Sequence, residues 1–355
     1  AIANATALTA AEVGREFDGG RDFLSACTAG LPPRATRAAV IADVEAASRG
    51  QINPAAACAS VEDARASFAR LVSTTAERIA IGSQASVFAG LIASALPDGA
   101  EVLCAEGDFS SVILPFVHAG RGIQVRTAPL AELAAAVRRT THLVVFSVVQ
   151  SATGEVDDAP AIRAAAAAAG ALTLCDATQA IGWLPVRADD YDVVICHAYK
   201  WLCAPRGVAF ASLSERIQPQ LRPVFAGWYA GGDPWASCYG HEVTLADDAS
   251  RFDVSPAWQA FIGAAPALAL FASADMDDLY THSTGLAASF RSLMGLAEPE
   301  RASAIVTWED PDGTDLARLT RAGITASGRA GRARVAFHVF NDHIDVTRAV
   351  AALAR

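Results

Sequence analysis

The chain has 355 residues, 52% of them hydrophobic and 19% charged, with a formal net charge of −10 and a pI near 5.2. That balance suits a well-buried enzyme of about two domains and excludes a disordered chain. The acidic surplus leaves no basic stripe for a phosphate backbone, so no nucleic-acid partner is expected.

In chain order, the spacing predicts helices over Pro33–Arg49 and Val61–Ser73, then a short strand over Glu77–Ile81. Gly82-Ser83 ends that strand, and Gln84–Leu96 continues at helical period until Pro97-Asp98-Gly99 stops it. Buried strands are expected over Glu101–Ala105, Ile123–Thr127, His142–Val149, Ala171–Cys175, Asp192–His197 and Gly207–Ser212. Helices over Ala131–Arg139 and Ala159–Ala169 interleave with them. Strands alternating with helices imply an α/β fold with a mainly parallel sheet covered on both faces. Beyond Leu213, Gly227–Gly240 reads as a long loop, and Pro256–Asp278 and Leu279–Gly295 as two helices. Arg301–Trp308, Thr314–Ala322 and Arg334–Phe340 resemble the strand–helix–strand unit of a smaller α+β domain. The expected division is an N-terminal segment over 1–30, a large domain over 31–255, and a connecting helix with a small C-terminal domain over 256–355.

Ala1–Ala11 has no basic n-region or continuous apolar core, so no secretory signal is expected. Ala159–Cys175 is interrupted by Arg163 and Gly170 and falls short of the ~20 apolar residues a spanning helix needs, so no membrane partner is expected either. The seven cysteines are odd in number and include no CxxC pair. They read as reduced, mostly buried thiols of a cytoplasmic protein, with no metal site.

Four features carry chemistry. Asp176 ends a predicted strand, where open α/β sheets bind ligands. Seen alone it is as readily a helix N-cap. Lys200 follows the strand Asp192–His197 amid Tyr199, Trp201 and Leu202 and is the only lysine in the chain. Burial among such neighbours lowers an amine's proton affinity and prepares it for Schiff-base chemistry. Gly82-Ser83-Gln84-Ala85-Ser86, at a strand-to-helix turn, offers free backbone N–H groups to an anion. Phe109, just after a strand, could stack on a planar cofactor or simply belong to the core.

The four stand in the order anion turn, aromatic ring, acid, lysine, and Asp176–Gly182, Pro185-Val186, Asp192–Lys200 and Arg206-Gly207 resemble the most specific block of the class V aminotransferase family. That family includes cysteine desulfurases, isopenicillin N epimerases and kynureninases. The resemblance implies a fold type I enzyme, with a seven-stranded sheet in its large domain and pyridoxal 5′-phosphate (PLP) as cofactor. It implies a small-molecule amino-acid substrate and a homodimer. Lys200 would form the Schiff base, Asp176 would pair with the pyridinium nitrogen, and Gln179 would bond the phenolic oxygen. Gln84, Ala85, His197 and Tyr199 would hold the phosphate, and Phe109 would lie against the ring. Arg334 would clamp the substrate carboxylate, with Arg329 and Arg332 as alternatives and Thr28 bordering the site. Arg251-Phe252-Asp253 would hold loops near the site.

Trp228, Tyr229, Asp233 and Trp235 sit in the Gly-rich loop, where aromatic faces with a carboxylate suit a quaternary ammonium. Aromatics are equally at home in a dimer interface. A desulfurase needs a thiol on the loop before the Arg334 strand, and none lies between Tyr239 and Arg334. His197–Cys203, Gly227–Gly240, Arg251–Ala260 and Ala326–Arg332 resemble one subgroup, the C–S lyases of the ergothioneine pathway. These implications are expectations: a β-eliminating lyase acting on hercynylcysteine sulfoxide, another class V activity (aminotransferase, epimerase or cysteine lyase) on a different amino acid, or a catalytically inactive protein of the same fold serving in binding or regulation, which the intact acid and lysine disfavour.

Overall fold

The computed structural model describes residues 7–354. Residues 1–6, the start of the Ala1–Ala11 stretch, and residue 355 lie outside them.

Seven apolar runs build one sheet: β1 (Ile79–Gly82), β2 (Glu101–Ala105), β3 (Gln124–Ala128), β4 (Thr141–Ser147), β5 (Leu172–Asp176), β6 (Val193–His197) and β7 (Ala209–Leu213). Their order is β1-β7-β6-β5-β4-β2-β3. Neighbours pair in parallel except β7, which runs antiparallel to both β1 and β6. The stretch 198–208 that joins β6 to β7 holds no crossover helix, so the chain turns back on itself. β5, β6 and β7 are buried at every position, as continuous apolar runs in a doubly covered sheet should be. β3 departs from the expected buried strand. It is the sheet edge, with Gln124 and Thr127 exposed, and polar side chains there discourage pairing with another chain.

The helices are α1 (Ala10–Gly14), α2 (Arg34–Ser48), α3 (Pro54–Leu71), α4 (Ala85–Ala95), α5 (Ser110–Val117), α6 (Leu133–Ala136), α7 (Ala159–Ala169), α8 (Trp258–Ala272), α9 (Met276–Met294), α10 (Thr314–Arg321) and α11 (His343–Leu353). α3 starts earlier than its apolar spacing suggests, because the Asn53 side chain accepts from Ala56 N at 3.1 Å and Pro54 opens the first turn. The long helix expected to reach Asp278 stops at Ala272. There Asp275 caps α9 by accepting from Asp277 N and Asp278 N, and Leu8 pairs with the backbone of the break. α5 went unread because Pro115 lies inside its apolar run.

A second sheet, ordered β8 (Ile305–Glu309), β10 (Arg332–Ala336), β9 (Ser327–Arg329), is antiparallel and packs with α9 and α11 around Phe290, Trp308, Val335 and Phe337. One face of the large sheet, around Leu103, Phe146 and Cys175, is covered by α3, α7 and α8. The other, around Val102, Val145 and Ile195, is covered by α4 and α5. Full burial of such side chains stabilises the fold by about 1.5–3 kcal/mol each. No described helix is long and apolar enough to cross a membrane.

Residues 23–30 connect the two sheets. Leu24 exchanges backbone hydrogen bonds with Thr325 and Ala336, and Gly30 N donates to Tyr199 O at 2.8 Å. A Cβ on Gly30 would lie 2.1 Å from the Lys200 carbonyl oxygen, so only glycine lets this strap approach the lysine.

Candidate active site

The carboxyl ends of β4, β5 and β6 converge where parallel-sheet enzymes bind ligands. The cleft there is lined by Ala85, Phe109, Ser147, Ser151, Asp176, Thr178, Gln179, His197, Tyr199 and Lys200. Ala85, Phe109, Asp176, Gln179, His197, Tyr199 and Lys200 are thus brought together from four separate stretches of sequence. Gln84 precedes Ala85 as the residue before α4, its amide donating to Ser86 Oγ at 3.1 Å. No side chain caps the first turn of α4, whose N–H groups are left for an anion.

Lys200 is 6% exposed, with Nζ 5.3 Å from the centre of the Phe109 ring and 5.7 Å from that of Tyr199. Burial pulls its amine below the ordinary lysine range, against the opposing pull of the Asp176 carboxylate. Asp176 is buried at the end of β5, and its Oδ1 accepts from Thr178 N at 2.9 Å. Burial raises its carboxyl, the Thr178 hydrogen bonds only partly offsetting this. No ion pair holds it among the described residues, so a cationic ring nitrogen would meet an unmet demand.

Gln179 is fixed on both sides of its amide. Nε2 donates to Cys27 O at 2.9 Å and to Ser151 Oγ at 3.0 Å, while Oε1 accepts from Trp201 Nε1 at 2.8 Å. His197 is buried and its Nε2 has no partner. Burial first, then the nearby Arg206 and Lys200 charges, push its imidazole down to about 4. These features suit PLP: an unpaired carboxylate for the ring nitrogen, an orphaned imidazole and an uncapped helix turn for the phosphate, and an aromatic face beside the amine.

Arg334 reaches the cleft from β10. It is 1% exposed and has no carboxylate partner among the described residues. Its Nε donates to Ser327 Oγ at 3.0 Å, Nη2 to Thr28 Oγ1 at 3.1 Å, and Nη1 to the carbonyl and hydroxyl of Ser151. Burial lowers its proton affinity. Arg332 is instead paired with Glu309, and exposed Arg329 donates to its neighbour's carbonyl, Gly328 O. Arg334 is therefore the one of the three bonded to Thr28 and Ser151 at the cleft, while the Arg329 charge bears on Lys200 from nearby.

The aromatic loop does not line the Lys200 cleft of its own chain. Trp228 packs on Tyr229, Trp235 and Trp258. Tyr229 donates to Glu62 Oε1 at 2.8 Å, and Asp233 accepts from Trp235 N and Ala236 N in a local turn. Beneath lies a separate cavity of about 720 Å³, lined in part by Glu62, Tyr229, Trp235, Asp248 and Asp253. Asp253 holds loops near the site: it binds Arg65 at 2.6 Å and accepts from Ile81 N at 2.8 Å, pinning the strand that leads into the α4 turn.

Sequence reasoning missed Ser151, Asp108 and Trp201. Asp108 accepts from Phe109 N at 2.6 Å, Ser147 N at 2.7 Å and Ser147 Oγ at 2.6 Å, tying the Phe109 turn to the end of β4. Its place at a strand end, like that of Asp176, was the available signal. Ser151 lies in an irregular stretch with no such signal.

Comparisons with known proteins agree with this geometry. The family model described as aminotransferase class-V matches residues 23–310. A kynureninase from Salinispora tropica is 29% identical, over 92% of this chain and 84% of its own length. An isopenicillin N epimerase from Streptomyces clavuligerus is 29% identical, over 73% of this chain and 72% of its own. Among solved structures, the cysteine desulfurase CsdA from Escherichia coli superposes with a TM-score of 0.83 at 17% identity, covering 98% of both chains. The cystine C–S lyase C-DES also reaches 0.83, at 18% identity, covering 94% of this chain and 97% of that one. With the acid, the lone lysine and the uncapped turn at the ends of one such sheet, the chain belongs to the aminotransferase class-V family of PLP-dependent enzymes.

Proposed function

We propose that this enzyme is a C–S lyase that cleaves hercynylcysteine sulfoxide by β-elimination, giving a sulfenate, pyruvate and ammonia. One observation carries the reading. The Lys200 amine lines a cleft whose Ser151 is bonded by the Arg334 guanidinium, which has no carboxylate partner among the described residues, and the chain between Tyr239 and β10 supplies no cysteine to attack sulfur.

Bound at Lys200, PLP supplies the electron sink for charge developing at Cα. Asp176 would hold the ring nitrogen's proton, Gln179 would bond the phenolic oxygen, and Phe109 would lie against the ring. The α4 turn at Gln84 and Ala85, with His197 and Tyr199, receives the phosphate. Arg334 and Thr28 bind the substrate carboxylate, the guanidinium as a two-pronged donor. Once displaced from the cofactor by the substrate's amine, Lys200 Nζ, its proton affinity lowered by burial, would remove the Cα proton. The Cα–H pair ends in a Cα–Cβ double bond while the Cβ–S pair departs with sulfur as the sulfenate. Water converts the three-carbon remainder to pyruvate and ammonia. A sulfenate leaves more readily than a thiolate, so no thiol nucleophile is required.

We further propose a cytoplasmic homodimer in which the loop of Trp228, Tyr229, Asp233 and Trp235 serves the partner's cleft, its aromatic faces taking the trimethylammonium group. Exposure of Phe109, Trp235 and Tyr239, at 45%, 54% and 94%, supports a covering partner. The test is pyruvate release from the sulfoxide by PLP-loaded protein, and yield no higher than that of Lys200→Ala would reject the lyase. The kynureninase and epimerase similarities favour a second reading, another class V reaction on a different amino acid. It predicts turnover of kynurenine or an epimerisable amino acid without pyruvate from the sulfoxide.

A further inference from the structure

Four hydrogen bonds and the chain itself link polar groups of the cleft into a ring. Arg334 Nη1 donates to Ser151 Oγ at 3.3 Å, and Gln179 Nε2 donates to the same oxygen at 3.0 Å. Trp201 Nε1 donates to Gln179 Oε1 at 2.8 Å, and His338 Nε2 bonds Trp201 O at 2.8 Å. His338 lies four residues after Arg334, two beyond the end of β10, so the backbone closes the ring. Thr28 and Cys27 brace it laterally through Arg334 Nη2 and the Gln179 amide.

Two properties make this ring more than packing. Trp201 is 1% exposed, directly follows Lys200, and stacks on His338 with centroids 5.1 Å apart, so its indole and carbonyl have one available geometry. His338 is fully buried, and that burial pushes its imidazole down to about 4, so it stays a neutral donor to Trp201 O. The Ser151 hydroxyl accepts from both Gln179 and Arg334, and its own proton has no acceptor among the described residues. A carboxylate on Arg334 can accept a hydrogen bond from that hydroxyl, which makes its oxygen a better acceptor for Gln179.

We propose that Trp201 is a positioning residue that passes to the backbone of Lys200 the change in Gln179's hydrogen bonding made, by way of Ser151, when a carboxylate arrives at Arg334. The proposal rests on the reading of Lys200 as the cofactor lysine and Arg334 as the carboxylate clamp. It gives the enzyme a means to ready the lysine only when a substrate's carboxylate is seated. Asp176, Cys27, Arg334, Arg329, His197, Cys196 and Tyr199 are the charged or titratable groups that bear on the Lys200 amine, and none of them changes in the variants below.

The test titrates the visible absorbance of PLP-loaded protein against pH, with and without propionate, a carboxylate lacking both amine and leaving group. In the parent protein, saturating propionate moves the midpoint by about one pH unit, a tenfold change in proton affinity. In Trp201→Phe, which keeps the ring stack and loses the indole N–H, the shift falls to less than a third. Ser151→Ala opens the ring at its other joint and gives the same loss if Trp201→Phe does not fold. A full shift in either folded variant overturns the proposal, as does bound propionate that leaves the parent midpoint unmoved. Borohydride reduction that leaves Lys200 unlabelled overturns the cofactor reading itself, a result separate from a labelled protein that shows no coupling.

Discussion

The Lys200 cleft and the aromatic loop over 227–240 are both rich in functional side chains, yet they are built in opposite ways. In the cleft the long polar side chains are fixed by partners from separate stretches of chain: Gln179 by Trp201, Cys27 and Ser151, and Arg334 by Ser327, Thr28 and Ser151. In the loop Asp233 and Ser237 bond their own turn, and Trp235 is 54% exposed. A site fixed by separate elements can be preorganised for chemistry. A self-contained loop presents a surface whose use depends on what comes against it.

Arg334→Gln breaks the cleft side hardest. Loss of a buried charged donor to the substrate carboxylate lowers kcat/KM by roughly 10²–10³-fold, read in steady-state pyruvate assays. An unchanged ratio would move the clamp to Arg329 or Arg332.

Behind the cleft, Asp157 is buried with no partner for either carboxylate oxygen. Burial pushes its carboxyl up to about 8, Arg301 opposing and Asp108 and Asp158 adding to the rise. The folded state therefore holds this proton more tightly than the unfolded chain. Its contribution is complete below the ordinary carboxylate range and is lost as pH rises from there to about 8. Asp157→Asn removes that loss, so the variant gains about 2–4 kcal/mol on the parent between pH 5 and pH 8 in urea unfolding. Parallel curves at the two pH values would contradict this.

Gly30→Ala forces a methyl against the Lys200 carbonyl, which costs about 1–3 kcal/mol and loosens PLP retention on dialysis. The smallest effect belongs to the loop. Trp235→Ala raises KM for a trimethylammonium substrate by about 2–5-fold and leaves kcat and the spectrum of bound PLP unchanged. Equal loss on a substrate lacking the quaternary ammonium would turn the loop into a purely structural element.

The contrast also explains what could be read beforehand. Asp176 and Lys200 end apolar runs, and a parallel sheet sends the ends of its strands to one edge, so chain order alone places them together. Arg334 was recognisable by its late strand, but its choice over Arg329 and Arg332 required the pairing of Arg332 with Glu309 across β8 and β10. Ser151 and Trp201 were not legible as site residues. Ser151 has no periodic context, and Trp201 acts through an indole N–H whose partner lies 22 positions away in sequence. The loop's composition was plain, while its direction depends on tertiary packing around Trp258 that no local pattern encodes.

The account stands on the cofactor being carried by the chain's only lysine. Borohydride reduction of the PLP-loaded protein followed by peptide mass spectrometry tests it most directly. The predicted result is loss of the visible band with a reduced pyridoxyl phosphate group on Lys200, and a band that persists with Lys200 unmodified would contradict it.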